Sequence, residues 1–177
     1  MSSDKVTTEY LHKTFLDPNV GMVGTTKAYD DLAENYNKLY ASGFTQLDGL
    51  DPSQGMLDVA KSKGIYGELL CAYVALGDEK LNIPDNTYDG LTICGSMGVN
   101  MVPPEGIYEM HRLVKPGGII VNVVRQETVN EIEGFKDRLE PMMQQMEADG
   151  KWKLVSRVLF PDYLVDQGGV IFTHQVC

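Results

Sequence analysis

The spacing of apolar and polar positions alternates between a period of three to four residues and a period of two, which predicts a series of helices and strands. Residues 1–24 are mostly polar and have no regular period, so we expect a mobile N-terminal segment followed by one domain over residues 25–177. The predicted elements are a helix at 25–40, a strand at 44–50, a helix at 53–63, strands at 68–76 and 88–94, a helix at 105–113 and a strand at 119–124.

The most regular apolar stripe lies at 129–149 and predicts one long helix. Thr128 and Glu131 have the spacing of a capping box at its start, and Gly150 is a typical helix stop. Pro141 lies inside the stripe, so we expect a kink there. The residues of the stripe, which we expect in the core, are Ile132, Phe135, Leu139, Met142, Met143 and Met146.

Two final strands, at 153–160 and 169–176, have no helix between them. The short turn between them predicts an antiparallel hairpin, whereas the earlier strands alternate with helices, as in parallel sheets. The sequence therefore predicts the α/β class, with a mostly parallel sheet and a C-terminal antiparallel hairpin.

The charge balance excludes several kinds of partner. The 177 residues carry 25 acidic and 15 basic side chains, a formal net charge of -10. Binding to nucleic acid or to an anionic membrane surface depends on clustered positive charge, so we expect neither partner. No apolar stretch approaches the roughly 20 residues that a membrane-spanning helix needs.

The cysteines and histidines point to neither disulfides nor a metal. The three cysteines form no Cys-x-x-Cys pair, which favours free thiols and a cytoplasmic location. The three histidines lack the spacing of metal ligands, so we expect no metal site. These residues are Cys71, Cys94, Cys177, His12, His111 and His174.

Three segments, taken in order, resemble the class I S-adenosylmethionine (SAM)-dependent methyltransferases. They are residues 47–57 (LDGLDPSQGML), residues 81–91 (LNIPDNTYDGL) and residues 113–118 (LVKPGG). Within that family the chain is similar to a group of methyltransferase-like proteins, through Tyr29 and Tyr36 near the start, Pro103-Pro104 and Trp152. The resemblance implies a Rossmann-like sheet and SAM as the cofactor, with an unidentified methyl acceptor as the partner.

The resemblance also implies which residues hold the cofactor. Asp51 would accept hydrogen bonds from both ribose hydroxyls, because a carboxylate offers two acceptor oxygens; alternatively it is the N-cap of the following helix. Met56 would cover the adenine or pack in the core. The other implied cofactor residues are Ala72 and Tyr73 near the end of one strand, Cys94 and Gly95 at the end of the next, and Tyr29, which either covers the methionine end or faces the core. The resemblance nominates no catalytic residue.

One element of the family pattern is missing from the sequence. Family members carry a strand and a loop of the form Asp-x-Gly-x-Gly-x-Gly before the segment that here holds Asp51, but only residues 37–43 separate Tyr36 from Phe44. We therefore expect the first central strand to be absent, unless residues 20–26 replace it. A sheet split at that point would leave unpaired edges through which a homodimer could form.

Three functions are consistent with these observations. The first is a SAM-dependent methyltransferase that acts on a small molecule or a protein. The second is an inactive, truncated methyltransferase-like protein that binds SAM weakly or not at all and acts through protein contacts. The third, a dinucleotide-dependent oxidoreductase, is disfavoured because the chain lacks a glycine fingerprint and ends in a hairpin.

Overall fold

The computed structural model describes residues 46–75, 80–164 and 167–177. The chain divides into two compact units: the first unit lies within Met22–Leu81 and the second contains Asn82–Cys177. The predicted N-terminal segment 1–24, the helix predicted at 25–40 and the replacement strand considered at 20–26 lie outside the described residues. In the ranges given above, no helix has both the length and the apolar character needed to cross a membrane.

The first unit contains a short parallel strand pair and one helix. Strand β1 (Gly49–Leu50) pairs in parallel with β2 (Leu69–Leu70), and helix α1 (Gln54–Ser62) lies between them in sequence. The helix predicted at 53–63 is thus confirmed, whereas the strand predicted at 68–76 stops at Leu70 within the described residues. Strand β2 is short because its partner, β1, is short. Pro52 follows Asp51, has no N–H to donate and leads into α1, so the hydrogen bonds between the two strands end there.

The second unit is built on a four-stranded sheet in the order β3-β4-β6-β5. Strand β3 (Tyr88–Cys94) matches its predicted bounds and pairs in parallel with β4 (Val114–Arg125). Strands β5 (Trp152–Leu164) and β6 (Gln167–Val176) form the predicted antiparallel hairpin, and β6 also pairs antiparallel with β4. Among the described residues the strands form two sheets, one in each unit.

The 113–118 segment forms an excursion inside strand β4. Val114 pairs with Tyr88, and the next paired residues are Ile119 and Gly90, so Lys115 through Gly118 project from the ladder. Gly117 has a φ of 84°, which a residue with a side chain adopts only at a cost. The segment is therefore a bulge that leads into the buried part of β4.

The long helix predicted at 129–149 is wrong. The structure instead has helix α2 (Gly106–Leu113), a short α3 (Gln126–Asn130) and α4 (Leu139–Ala148), with turns between α3 and α4. Gly134 and Asp137 have φ values of 89° and 55°, which break the helix. The apolar spacing predicted one helix because single turns also place apolar residues three and four positions apart. One such turn is closed by the hydrogen bond from the Leu139 N–H to the Phe135 carbonyl at 2.9 Å.

The expected caps differ in the same way. Thr128 is buried inside α3 and does not cap a helix, so the predicted capping box is wrong. Pro141 lies in the first turn of α4, where its missing N–H needs no partner, so it begins a helix rather than kinking one. Gly150, with φ of 71°, follows the helix end as predicted.

The core of the second unit is divided between the two faces of the sheet. Helices α2, α3 and α4 all place buried side chains in the larger cluster, which includes Trp152 and Phe172. Met143 and Met146 are buried in it and Met142 packs against it, which confirms their predicted place in the core. The smaller cluster, on the other face, consists of Ile119, Val121, Val123, Tyr163 and Ile171, with Cys94, Val158 and Phe160 packed against it.

Candidate functional site

The first place to examine is the carboxyl end of the β1–β2 pair. Asp51 follows β1, and residues 71–73 follow β2; because the strands are parallel neighbours, both ends lie at the same edge of the pair. The Asp51 N–H donates to the Leu70 carbonyl at 3.1 Å, and the Cys71 thiol donates to the Pro52 carbonyl at 3.5 Å. The structure therefore brings Asp51 close to the segment that holds Ala72 and Tyr73.

Asp51 stabilises the start of α1 without being its N-cap. The N-cap is Ser53, whose hydroxyl accepts from the Met56 N–H at 3.4 Å. Asp51 Oδ1 accepts from the Ser53 N–H at 2.7 Å, so Asp51 forms a tight turn just before the helix. The N-cap interpretation of Asp51 is therefore wrong. Within residues 46–75 no hydrogen bond to its second oxygen, Oδ2, is found.

Met56 and Tyr73 present exposed surfaces near this edge. The sequence left two roles for Met56, covering the adenine or packing in the core. Its side chain is 53% exposed, so it does not pack in the core. Tyr73 is 59% exposed and Ala72 is half-buried. Leu57, the next residue along α1, is buried and anchors the helix instead. Apolar side chains held at the surface beside a carboxylate suit a ligand that has both a flat apolar part and hydroxyl groups.

The second place is the carboxyl end of β3, in the second unit. Cys94 is the last residue of β3, and the Gly95 N–H donates to the Val123 carbonyl of β4 at 2.9 Å. Gly95 then turns the chain with a φ of 68°. Met97, two residues on, is buried, and its sulfur accepts from the Asn122 amide Nδ2 at 3.0 Å. The backbone after β3 is thus held on both sides of the turn.

Tyr163 contacts this turn and was missed by the sequence analysis. Its side chain, from β5, is buried and hydrogen bonds with the Cys94 thiol. Burial raises the pKa of the Cys94 thiol, and the hydrogen bond with Tyr163 offsets only part of that rise. The thiol therefore stays protonated at neutral pH and is a poor nucleophile. No local pattern could reveal Tyr163, because the contact joins residues that are far apart in sequence.

Tyr29, the remaining implied cofactor residue, lies outside the described residues, as does Tyr36. Among the residues that the structure describes, no group of three or more histidine, cysteine, aspartate or glutamate side chains could hold a metal ion. Of the implied residues that the structure describes, Asp51, Met56, Ala72 and Tyr73 belong to the first unit, while Cys94 and Gly95 belong to the second.

Comparisons with known proteins bear on both units. A family model described as a methyltransferase domain matches residues 24–122. Methyltransferase-like protein 27 of Homo sapiens is 38% identical over 117 residues, which cover 66% of this chain and 45% of that protein. Demethylmenaquinone methyltransferase of Staphylococcus epidermidis is 40% identical over 80 residues, covering 43% of this chain and 31% of that protein. The chain thus spans less than half the length of these relatives.

A solved structure supports the fold. A 1,6-didemethyltoxoflavin-N1-methyltransferase of Burkholderia thailandensis, solved with S-adenosylhomocysteine bound, matches with a TM-score of 0.53 and 13% identity. The match covers 80% of this chain and 65% of that chain. At this identity the similarity concerns the fold, and it confirms the predicted Rossmann-like α/β class.

Proposed function

Because the chain belongs to the methyltransferase domain family, we propose that it transfers the methyl group of SAM to a small molecule or a protein side chain. The family assignment confirms the resemblance that was drawn from the three sequence segments. It also supports SAM as the cofactor. The structural observation that carries the proposal is the Asp51 carboxylate at the end of a parallel strand, beside Ala72 and Tyr73.

The residues at the β1–β2 edge fit the nucleoside part of SAM. Asp51 Oδ1 is held by the Ser53 N–H, which fixes the orientation of the carboxylate and leaves Oδ2 turned away from that bond. A fixed carboxylate is a suitable acceptor for a pair of vicinal hydroxyls. The exposed side chains of Met56 and Tyr73 would cover the adenine, with Ala72 leaving room between them. We propose that Cys94 and Gly95, at the carboxyl end of β3, also bind the cofactor, as does Tyr29.

The chain's own groups have a modest chemical task. When bound, SAM supplies an electrophilic methyl group on a sulfonium. The protein must hold the acceptor in line with that methyl group and exclude water, which accelerates transfer by orientation rather than by a side-chain nucleophile. The raised pKa of Cys94 agrees with this division, because a protonated thiol beside the pocket does not compete for the methyl group.

The finer features of the proposal concern acceptor, assembly and location. We propose a small-molecule or protein acceptor, without nucleic acid or membrane partners, and a cytoplasmic location, which the free thiols of Cys71, Cys94 and Cys177 support. A homodimer through a sheet edge is supported by β5, an edge strand that exposes Leu154 and Leu159. A mass measurement by light scattering tests the dimer.

The test of the main proposal is calorimetric titration of the folded chain with S-adenosylhomocysteine. We expect micromolar binding, and we expect Asp51→Asn to weaken it by roughly tenfold, because the amide keeps one acceptor oxygen for Ser53 but loses the charge. Asp58→Asn is the matched control, since Asp58 is an exposed aspartate of α1 whose Oδ1 accepts from Gln54 Nε2 at 2.9 Å.

Absence of binding by a folded wild-type chain would overturn the enzyme proposal and favour the inactive, truncated alternative. Binding that Asp51→Asn leaves unchanged would retain the cofactor but remove Asp51 from its site.

A further inference from the structure

The turn after β3 has a shape that depends on a distant side chain. Gly95 has a φ of 68°, and a Cβ built on it would lie 2.3 Å from the Tyr163 hydroxyl oxygen and 3.7 Å from its ring carbon Cζ. A contact of 2.3 Å is far below van der Waals distance, so the hydroxyl occupies the space that a side chain at position 95 would need. The turn is therefore restricted to glycine for two separate reasons, its backbone angle and Tyr163.

The same hydroxyl also engages the residue before the turn. It hydrogen bonds with the Cys94 thiol, and Cys94 also packs against the smaller apolar cluster, which includes Val123 and Ile171. Tyr163 is the titratable side chain that the structure shows in contact with Cys94. One buried phenol thus contacts two consecutive residues of the turn.

Tyr163 is itself held firmly in place. Its side chain is only 7% exposed, and its ring lies 6.0 Å from that of Phe160 at a tilt of 57°. Gly169 of β6 leaves room for these rings, since a Cβ there would lie 2.4 Å from Phe160 Cζ and 2.9 Å from Tyr163 Cδ2. Packing within the hairpin therefore holds the Tyr163 ring in one position. A side chain held in this way restricts the backbone that it contacts.

We propose that Tyr163 is a positioning residue that sets the path of the Cys94–Gly95 backbone at the carboxyl end of β3. The inference rests on the proposed function, in which Cys94 and Gly95 bind SAM. Tyr163 does not touch the cofactor in this proposal; it acts through Cys94 and Gly95. In the absence of a glycine-rich loop in the sequence, a buried phenol from the C-terminal hairpin supplies the rigidity at this strand end.

The first test reads Cys94 directly and needs no cofactor. In a Cys71→Ser/Cys177→Ser background Cys94 is the single cysteine, so the pH midpoint of its alkylation reports its thiol alone. Tyr163→Phe keeps the ring but removes the hydroxyl, and we expect the midpoint to move to higher pH because the hydrogen bond that favours the thiolate is lost. Mere loosening of the turn would expose the thiol and lower the midpoint, because burial is what raises the pKa of Cys94.

Two further variants serve as a control and as an independent check of this test. Tyr108→Phe removes an exposed hydroxyl from α2 of the same unit and should leave the midpoint unchanged. Gly95→Ala displaces the Tyr163 hydroxyl from the opposite side and should raise the midpoint too, so the test survives if Tyr163→Phe fails to fold. An unchanged midpoint in both Tyr163→Phe and Gly95→Ala would overturn the proposal.

The second test measures S-adenosylhomocysteine affinity in a double-mutant cycle. We expect Tyr163→Phe to weaken binding by roughly three- to tenfold, as for loss of one positioning hydrogen bond. Gly95→Ala should weaken it by tenfold or more, but by less in the Tyr163→Phe background, where the nearest obstacle is gone. Additive effects would contradict the proposed coupling.

The two failures are distinguishable. A wild-type chain that does not bind S-adenosylhomocysteine overturns the proposed function, while the Cys94 midpoint still decides whether Tyr163 controls the turn. A normal wild-type affinity that neither variant changes overturns the positioning role and leaves the proposed function intact.

Discussion

The two strand ends that carry the implied cofactor residues are fixed in different ways. At the β1–β2 edge, two residue pairs and local bonds to Ser53 and Pro52 hold Asp51 and its neighbours, and much of the surface is exposed. At the end of β3, the turn at Gly95 is attached to a four-stranded sheet and fixed by a buried side chain from β5. The first edge depends on nearby sequence and the second on tertiary packing, so they should respond differently to mutation and to pH.

The largest expected effect is at the packed turn. Gly95→Ala should destabilise the chain by about 3 kcal/mol, from a strained φ together with overlap with Tyr163. Gly117→Ala is the matched control, because Gly117 has a φ of 84° but nothing within 4 Å of an added Cβ, and it should cost about 1 kcal/mol. Urea unfolding followed by circular dichroism compares the two. Equal losses would mean that Tyr163 gives way and that the turn is not fixed by packing.

The second effect is a loss of stability at low pH that is expected in the second unit and not in the first. Burial lowers the pKa of His174 to about 4, an effect that the nearby Glu147 only partly opposes. Because the unfolded chain takes up this proton first as the pH falls below about 6.5, the contribution of neutral His174 is complete above that pH and is lost on the way to pH 4. We expect a loss of about 2 kcal/mol between pH 7.5 and pH 5.

His174→Phe should remove this part of the pH dependence while keeping an aromatic ring against Trp152, whose centroid lies 4.2 Å from that of His174. Residues 46–81 contain no histidine, so hydrogen exchange of α1 should not share the effect. The same slope in wild type and variant would show that other groups govern the acid response.

The smallest effect is local to the exposed edge. Ser53→Ala removes the N-cap of α1 and should cost about 1 kcal/mol, seen as faster amide exchange in α1 with no change in β3. Ser62→Ala, at the other end of the helix, removes only a hydroxyl that donates to the Val59 carbonyl and should have a smaller effect. Faster amide exchange in β3 as well would indicate that the two strand ends are not independent.

The sequence was sufficient where structure depends on neighbouring residues. The β3 bounds, α1 and the hairpin follow from local period and turn chemistry, and the strand-end position of Asp51 follows from the Asp-Pro-Ser order. The long helix failed because its apolar spacing is also satisfied by turns around Gly134. The strand predicted at 68–76 was too long because the length of a strand is limited by its partner strand, and the local sequence does not show which strand that is.

The candidate site shows the same division. Asp51 and Gly95 were predicted as cofactor residues from the family resemblance and their places at strand ends, whereas Ser53 as N-cap and Tyr163 at the turn were not predicted. The choice between Asp51 and Ser53 depends on a difference of two residues in where the helix begins, which propensity does not resolve. Tyr163 depends on how β5 folds back across the sheet, so its role emerges only from the assembled hairpin.

Trp152 gives the chain a built-in optical probe. It is the single tryptophan, it is buried in the second unit, and its indole N–H donates to the Met143 carbonyl at 3.0 Å. Its fluorescence therefore reports the loss of packing around α4 and the hairpin without any label, while the first unit contributes no tryptophan emission. A mismatch between the fluorescence transition and the loss of helical signal would reveal, in one experiment, that the two units melt separately.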